Sequence, residues 1–247
     1  MKIAIYSDYV FNNTAIYRRA QERGHMVIIT APDVLNDWLE RENPDILIMP
    51  GGADLFYCDK LNGAGNRNIR HYVENGGTYL GLCAGAYYGS AALKWLDNTK
   101  SKISGKRELA FIDVCAEGPI SAFIEGAPET HWEQGRVVNV KLQNEILCPV
   151  YYCAGPLFTG EDKDAGILAR YADLPGNPAS IITKNLGRGR VVLSSVHFEV
   201  LADDITMKMA DVPGYEFSLP KDEIDRLSSA ENRIRDLIDM IFTHLKA

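Results

Sequence analysis

Cys83 lies in the run Tyr79-Leu80-Gly81-Leu82-Cys83-Ala84-Gly85-Ala86-Tyr87-Tyr88, where an apolar stretch ends in Gly-x-Cys-x-Gly. The pattern predicts a strand, a sharp turn and a helix over Ala84 to Leu93, with the thiol at the apex. Glycines at 81 and 85 suit such a turn, because its backbone is strained and the helix packs close to the strand. A cysteine at a helix N-terminus is favoured as the thiolate, the form that attacks a carbonyl carbon. Five residues can match by chance, and a lone cysteine is commonly a small buried apolar residue. The motif therefore needs partners from elsewhere in the chain.

His197 and Glu199 supply candidates. They follow the apolar run Val191 to Val196. If the backbone stays extended there, side chains at i and i+2 share a face about 7 Å apart at Cα, so the carboxylate can orient the imidazole. A His-x-Glu alone is as readily a surface pair. The turn Pro50-Gly51-Gly52-Ala53-Asp54 ends another apolar run. It is either a plain turn or one half of an oxyanion hole, the Gly52 N–H working with that of Ala84. The order Cys, His, Glu differs from the Ser, Asp/Glu, His order of α/β-hydrolases.

Elements that would position these groups follow from periodicity. Lys2 to Ser7, His25 to Ala31 and Ile46 to Met49 are short apolar runs. Between them lie helical segments from Asn12-Asn13-Thr14 to Gly24 and from Pro32 to Glu42. This βαβαβ alternation predicts a mostly parallel, flavodoxin-like sheet with helices on both faces and ligands beyond the carboxyl ends of the strands. Leu61 to Asn66 reads as a flexible loop over the site. Its Gly63-x-Gly65 lacks the third glycine of a dinucleotide fingerprint. Ile69 to Val73 reads as a helix in which His71 serves packing or meets solvent.

Residues 94–135, with the basic cluster Lys100, Lys102, Lys106 and Arg107, carry no clear pattern. Strands at Val137 to Leu142, Val150 to Tyr152, Ile167 to Tyr171 and Ala179 to Thr183 are expected to extend the sheet in antiparallel fashion. Gly187-Arg188-Gly189-Arg190 reads as a hairpin with solvated arginines rather than a phosphate loop. Beyond Pro220, Ile234, Leu237, Ile238, Ile241 and Leu245 recur at helical spacing and should pack on the sheet. No linker or repeat divides residues 1–247.

A chain of 247 residues with 46% hydrophobic and 24% charged residues can bury a substantial core. Its net charge of −7 argues against nucleic acid or an anionic membrane as main partner. Asp8 interrupts the first apolar run, and no later segment approaches a membrane span, so a cytoplasmic protein is expected. Five cysteines without CxxC pairs suggest reduced thiols, and no zinc site is suggested.

The residues PGGAD at 50–54, GNRNIRHYVENGGTYLGLCAGAYY at 65–88, VYY at 150–152, LARY at 168–171 and GRGRVVLSSVHFE at 187–199 carry a resemblance. They resemble the class I glutamine amidotransferase-like superfamily, and more closely the N-terminal domain of eukaryotic-type biotin protein ligases and its free-standing bacterial relatives. The resemblance implies Cys83 as nucleophile, His197 as general base, Glu199 as orienter and the Gly52 and Ala84 N–H groups as oxyanion hole. Gly51, Asp54, Tyr87 and Tyr152 would surround the substrate pocket.

Three positions depart from the superfamily pattern. Tyr87 stands where glutamine-handling enzymes carry Gln, His-Phe-Glu replaces His-Pro-Glu, and Tyr-Tyr-Cys-Ala-Gly at 151–155 replaces Tyr-Tyr-Asn-Gly-Gly. The implied activity is a cysteine-dependent amide hydrolase or amidotransferase acting on a small amide or acyl substrate, without metal or organic cofactor. Biotinylation is not expected, because no room remains for a ligase catalytic domain. The alternatives are a ligand-binding or regulatory module that keeps the geometry without turnover, and a redox-sensing thiol.

Overall fold

The structure, a computed structural model, describes residues 1–8, 10, 13–96, 99–207 and 219–246. It opens with β1 (Lys2–Tyr6), α1 (Asn13–Glu22), β2 (Met26–Thr30), α2 (Pro32–Glu42) and β3 (Ile46–Met49). The proposed cap residue Asn12 lies outside the described residues. Then follow α3 (Asp54–Leu61), α4 (Ala64–Glu74), β4 (Thr78–Leu82), α5 (Ala84–Gly89), β5 (Ser90–Trp95), β6 (Ile103–Lys106), β7 (Ile112–Gly118) and α6 (Pro128–His131). The chain continues through β8 (Arg136–Leu142), β9 (Leu147–Tyr152), β10 (Leu157–Thr159), β11 (Gly166–Tyr171), β12 (Ala179–Leu186) and β13 (Gly189–Ser194). It closes with α7 (Ala202–Thr206), α8 (Lys221–Ser229) and α9 (Glu231–Lys246).

A nine-stranded sheet runs in the order β2-β1-β3-β4-β13-β12-β11-β8-β9. Its first five strands are parallel, and from β13 to β9 each neighbour is antiparallel. The fold is thus α/β, mostly parallel around the site, with the expected antiparallel extension.

The strands are apolar on both faces because both faces are covered. Ile3, Ile5, Ile46, Ile48 and Leu80 pack with Ile16 of α1 and with Ile234, Leu237, Ile238 and Ile241 of α9. The alternate residues Ala4, Tyr6, Leu47, Met49 and Tyr79 pack with Trp38 of α2, Tyr57 of α3 and Tyr72 of α4. Period-two alternation in the strands thus sorts side chains to two helical layers.

Three expectations are corrected. The helix after Cys83 ends at Gly89, and residues 90–95 form β5 of a second sheet ordered β10-β7-β5-β6. Ser90 stops the helix by donating its hydroxyl to Ala86 O at 2.8 Å, and Gly89 admits Leu193 where a side chain would collide. Leu61 to Asn66 is not a loop over the site: α3 reaches Leu61, α4 starts at Ala64, and Gly65 is buried within it. The arginines of the 187–190 hairpin cap helix ends rather than standing in water. Arg188 donates to Asn75 O at 3.2 Å behind α4, and Arg190 donates to His244 O at the end of α9.

The α9 contact predicts the stability of the sheet. Ile238→Ala, at a fully buried position, should lower unfolding free energy by about 2–5 kcal/mol in urea titrations, because the cavity is only partly filled by relaxation.

Candidate active site

β4 and β13 run parallel in the register Leu82↔Ser194. The ladder continues one residue further, with the Cys83 N–H donating to Ser194 O at 2.9 Å. Cys83 has φ 47° and ψ −101°, a strained conformation for a residue with a Cβ, costing about 1–3 kcal/mol. The close approach anticipated at the two glycines is present. A Cβ on Gly85 would run into the Met49 carbonyl, and one on Gly81 into the Gly85 carbonyl. Because α5 spans only six residues, its dipole is short, and most of the electrostatic influence on the thiol must come from neighbouring side chains.

His197 is one of those neighbours. Its Nδ1 lies 2.8 Å from Glu199 Oε1, and the ring is also in side-chain hydrogen-bond contact with Cys83. The backbone at 198–199 is not extended. A turn, closed by the Val200 N–H to His197 O at 3.2 Å, carries the carboxylate back to the imidazole. The contact expected from i, i+2 spacing therefore forms by another route. Tyr151, which the sequence did not single out, anchors the ring's backbone by accepting the His197 N–H at 2.9 Å.

Burial by itself would push the imidazole pKa down. The Glu199 charge and the hydrogen bonds to Cys83 and Glu199 outweigh it, holding His197 well above the usual 6.5.

Gly51 closes the third side. A methyl group there would lie 2.8 Å from His197 Cε1 and 3.7 Å from Cys83 Cβ, so only glycine leaves room for the imidazole. Gly52 follows with φ 153° and forms an isolated antiparallel bridge with Val10. In the first turn of α5, the Gly85 N–H goes to Pro50 O, and those of Ala86 and Tyr87 go to Cys83 O. Among the described residues, the Ala84 N–H has no such backbone acceptor.

The remaining pocket candidates are placed differently from expectation. Asp54 is engaged by Arg107 at 2.5 Å, with both side chains nearly buried. Tyr87 and Tyr152 are buried, and their hydroxyls donate to Ala154 O at 3.0 Å and Gly155 O at 2.9 Å. Both tyrosines brace the Cys153–Pro156 turn from behind, with their hydroxyls committed inside the protein. Arg107 belongs to the basic cluster of the sequence, but nothing in its local pattern foretold a buried pair.

The described residues hold no group of three or more His, Cys, Asp or Glu side chains arranged to bind a metal. All five cysteines are free, and no described helix is long and apolar enough to cross a membrane.

Solved structures define the class. A glutamine amidotransferase crystal structure superposes with a TM-score of 0.60 at 16% identity, covering 80% of this chain and 90% of that one. The structure of PurLQS from Thermotoga maritima gives 0.55 at 15% identity, covering 94% and 98%. At such identities the likeness is one of fold, that of the class I glutamine amidotransferase-like superfamily.

The sequence model of the family described as biotin-protein ligase, N terminal, matches residues 10–246. An uncharacterised protein of Chlamydia muridarum is 32% identical over 222 residues, 86% of this chain and 82% of its own length. The biotin–protein ligase of Schizosaccharomyces pombe is 32% identical over 163 residues, 64% of this chain but only 26% of that enzyme. The chain belongs to the biotin-protein ligase N-terminal family.

The raised His197 pKa is directly measurable. Its ring should titrate well above 6.5 in nuclear magnetic resonance spectra, and in Glu199→Gln it should fall toward or below that value as burial takes over. Because the folded-state pKa is the higher one, this proton's contribution to stability is complete below about pH 6.5 and is lost as pH rises through the folded-state value.

Proposed function

We propose that this protein is a cysteine-dependent amide hydrolase or amidotransferase-like enzyme. The observation carrying the reading is the division of one imidazole between Glu199 and Cys83. With Nδ1 bound to the carboxylate, Nε2 is left for the thiol, the arrangement a general base requires.

In this reading His197 takes the Cys83 proton and the sulfur attacks an amide or related acyl carbon. The oxyanion is received by the Ala84 and Gly52 N–H groups. His197 then returns the proton to the leaving amine, giving a thioester that water or a second amine releases. Tyr87 occupies the position at which the superfamily carries its glutamine-handling residue. The substrate proposed is therefore a small amide or acyl compound other than glutamine, with the protein working in the cytoplasm and neither nucleic acid nor membrane as partner.

A second reading has its own observation. Cys83 is only 7% exposed and its Sγ lies 3.4 Å from the Cys153 carbonyl oxygen. Such a thiol also suits a module that binds a ligand without turning it over.

Selective alkylation separates the two. Burial raises Cys58 to about 11 and Cys148 to about 12, and also raises Cys115, so these thiols should react slowly near neutral pH. Iodoacetamide should modify Cys83 at least about tenfold faster than these three, as its proton is drawn to His197. Peptide mass spectrometry reads the sites, and Cys83→Ala should remove the fast phase. Equal rates at all five thiols would sink the enzyme reading. Retained affinity of Cys83→Ala for a tight ligand, with no hydrolysis across a broad amide panel, would favour the binding module.

A further inference from the structure

The four carbonyl groups of the Cys153–Pro156 turn are each met by a side chain from elsewhere in the chain. Cys83 Sγ donates to Cys153 O at 3.4 Å, Tyr87 O–H to Ala154 O at 3.0 Å and Tyr152 O–H to Gly155 O at 2.9 Å. Ser195 Oγ donates to Pro156 O, and Tyr171 O–H lies 2.5 Å from the same Oγ. Ala154 has φ 56°, a left-handed value that a residue with a Cβ keeps only when its surroundings impose it. Gly155 rests directly against the Ser195 carbonyl, with no room for a side chain.

A carbonyl oxygen facing sulfur favours S–H and disfavours S⁻. One proton therefore has two homes. On sulfur it is received by Cys153 O; on His197 it is held with the help of Glu199. Of the anchors on the turn, Tyr87 lies on α5, the same helix that begins at Cys83. Its ring packs edge-on against Trp95 at 5.7 Å, and Gly118 lies against its hydroxyl, with no space for a Cβ.

We propose that Tyr87 is a positioning residue for Cys83: its hydroxyl fixes the Cys153–Pro156 turn so that the Cys153 carbonyl keeps the resting thiol protonated. A substrate that takes the carbonyl's place beside sulfur passes the proton to His197, so the thiolate forms on binding rather than before it. The proposal rests on the reading of Cys83 as nucleophile.

The titratable groups acting on Cys83 come from every side of the site. They are His197 after β13, Tyr57 on α3, Tyr87 on α5, Tyr152 on β9 and Tyr171 on β11, with Glu199 behind His197. Burial holds all four tyrosines neutral across the physiological range. Only the Cys83–His197–Glu199 set changes charge there.

Tyr87→Phe keeps the ring and removes the hydroxyl. The alkylation profile of Cys83 with iodoacetamide should move to lower pH, with the rate below neutrality rising about fivefold, the scale of one lost hydrogen bond. Trp95→Phe disturbs the ring packing but leaves the hydroxyl bond, and should keep the wild-type profile even where it melts earlier. A Tyr87→Phe profile that stays in place, or an equal shift in both variants, overturns the proposal while leaving the nucleophile reading intact. Wild-type Cys83 reacting no faster than the other thiols defeats the nucleophile reading and the proposal with it.

Discussion

The parallel pairing of β4 with β13 is the contact on which the site depends. One hydrogen bond beyond the last strand pair, Cys83 N–H to Ser194 O, ties the residue before the elbow helix to the chain leading to His197. Two segments more than a hundred residues apart thereby reach the same end of the sheet. The pairing persists because Leu80 and Val192 face one helical layer while Tyr79, Val191 and Leu193 face the other. A one-residue slip would exchange the two faces of β13 and carry His197 away from the thiol. Core packing and site geometry are consequences of the same register.

Around that register the backbone is held in costly shapes. Cys83 and Ala154 both take positive φ, and Gly51, Gly85 and Gly155 each lie where a side chain would strike a neighbour. Such strain persists when surrounding bonds over-determine it. Here the bonds are Tyr79 O–H to Gly85 O at 2.8 Å, Tyr57 O–H to Pro50 O at 3.0 Å and the anchors of the Cys153–Pro156 turn. Buried tyrosines, each with an apolar body and one polar tip, can fill the core and fasten a carbonyl at once.

Much of this was legible in the sequence. The βαβαβ alternation, the elbow around Cys83 and the strand before His197 are short-range patterns, and apolar runs bounded by Gly and Pro report them well. The end of α5 was not legible, because Ala84 to Leu93 suits helix and strand alike. What divides it is the pairing of β5 with β6 and β7, a contact made with residues far along the chain. For the same reason the burial of Tyr87 and Tyr152, the Asp54–Arg107 pair and the turn at 198–199 could not be read. Each depends on a partner that only the folded chain supplies.

The central claim is that Cys83 performs acyl chemistry with His197 as its base, and acylation by an activated ester tests it most directly. Wild-type protein treated with p-nitrophenyl acetate should release nitrophenol in a burst, and peptide mass spectrometry should find the acetyl group on Cys83. The burst should vanish in Cys83→Ala and slow sharply in His197→Ala. Acetylation spread over several thiols, or a release trace shared by wild type and Cys83→Ala, would contradict the account.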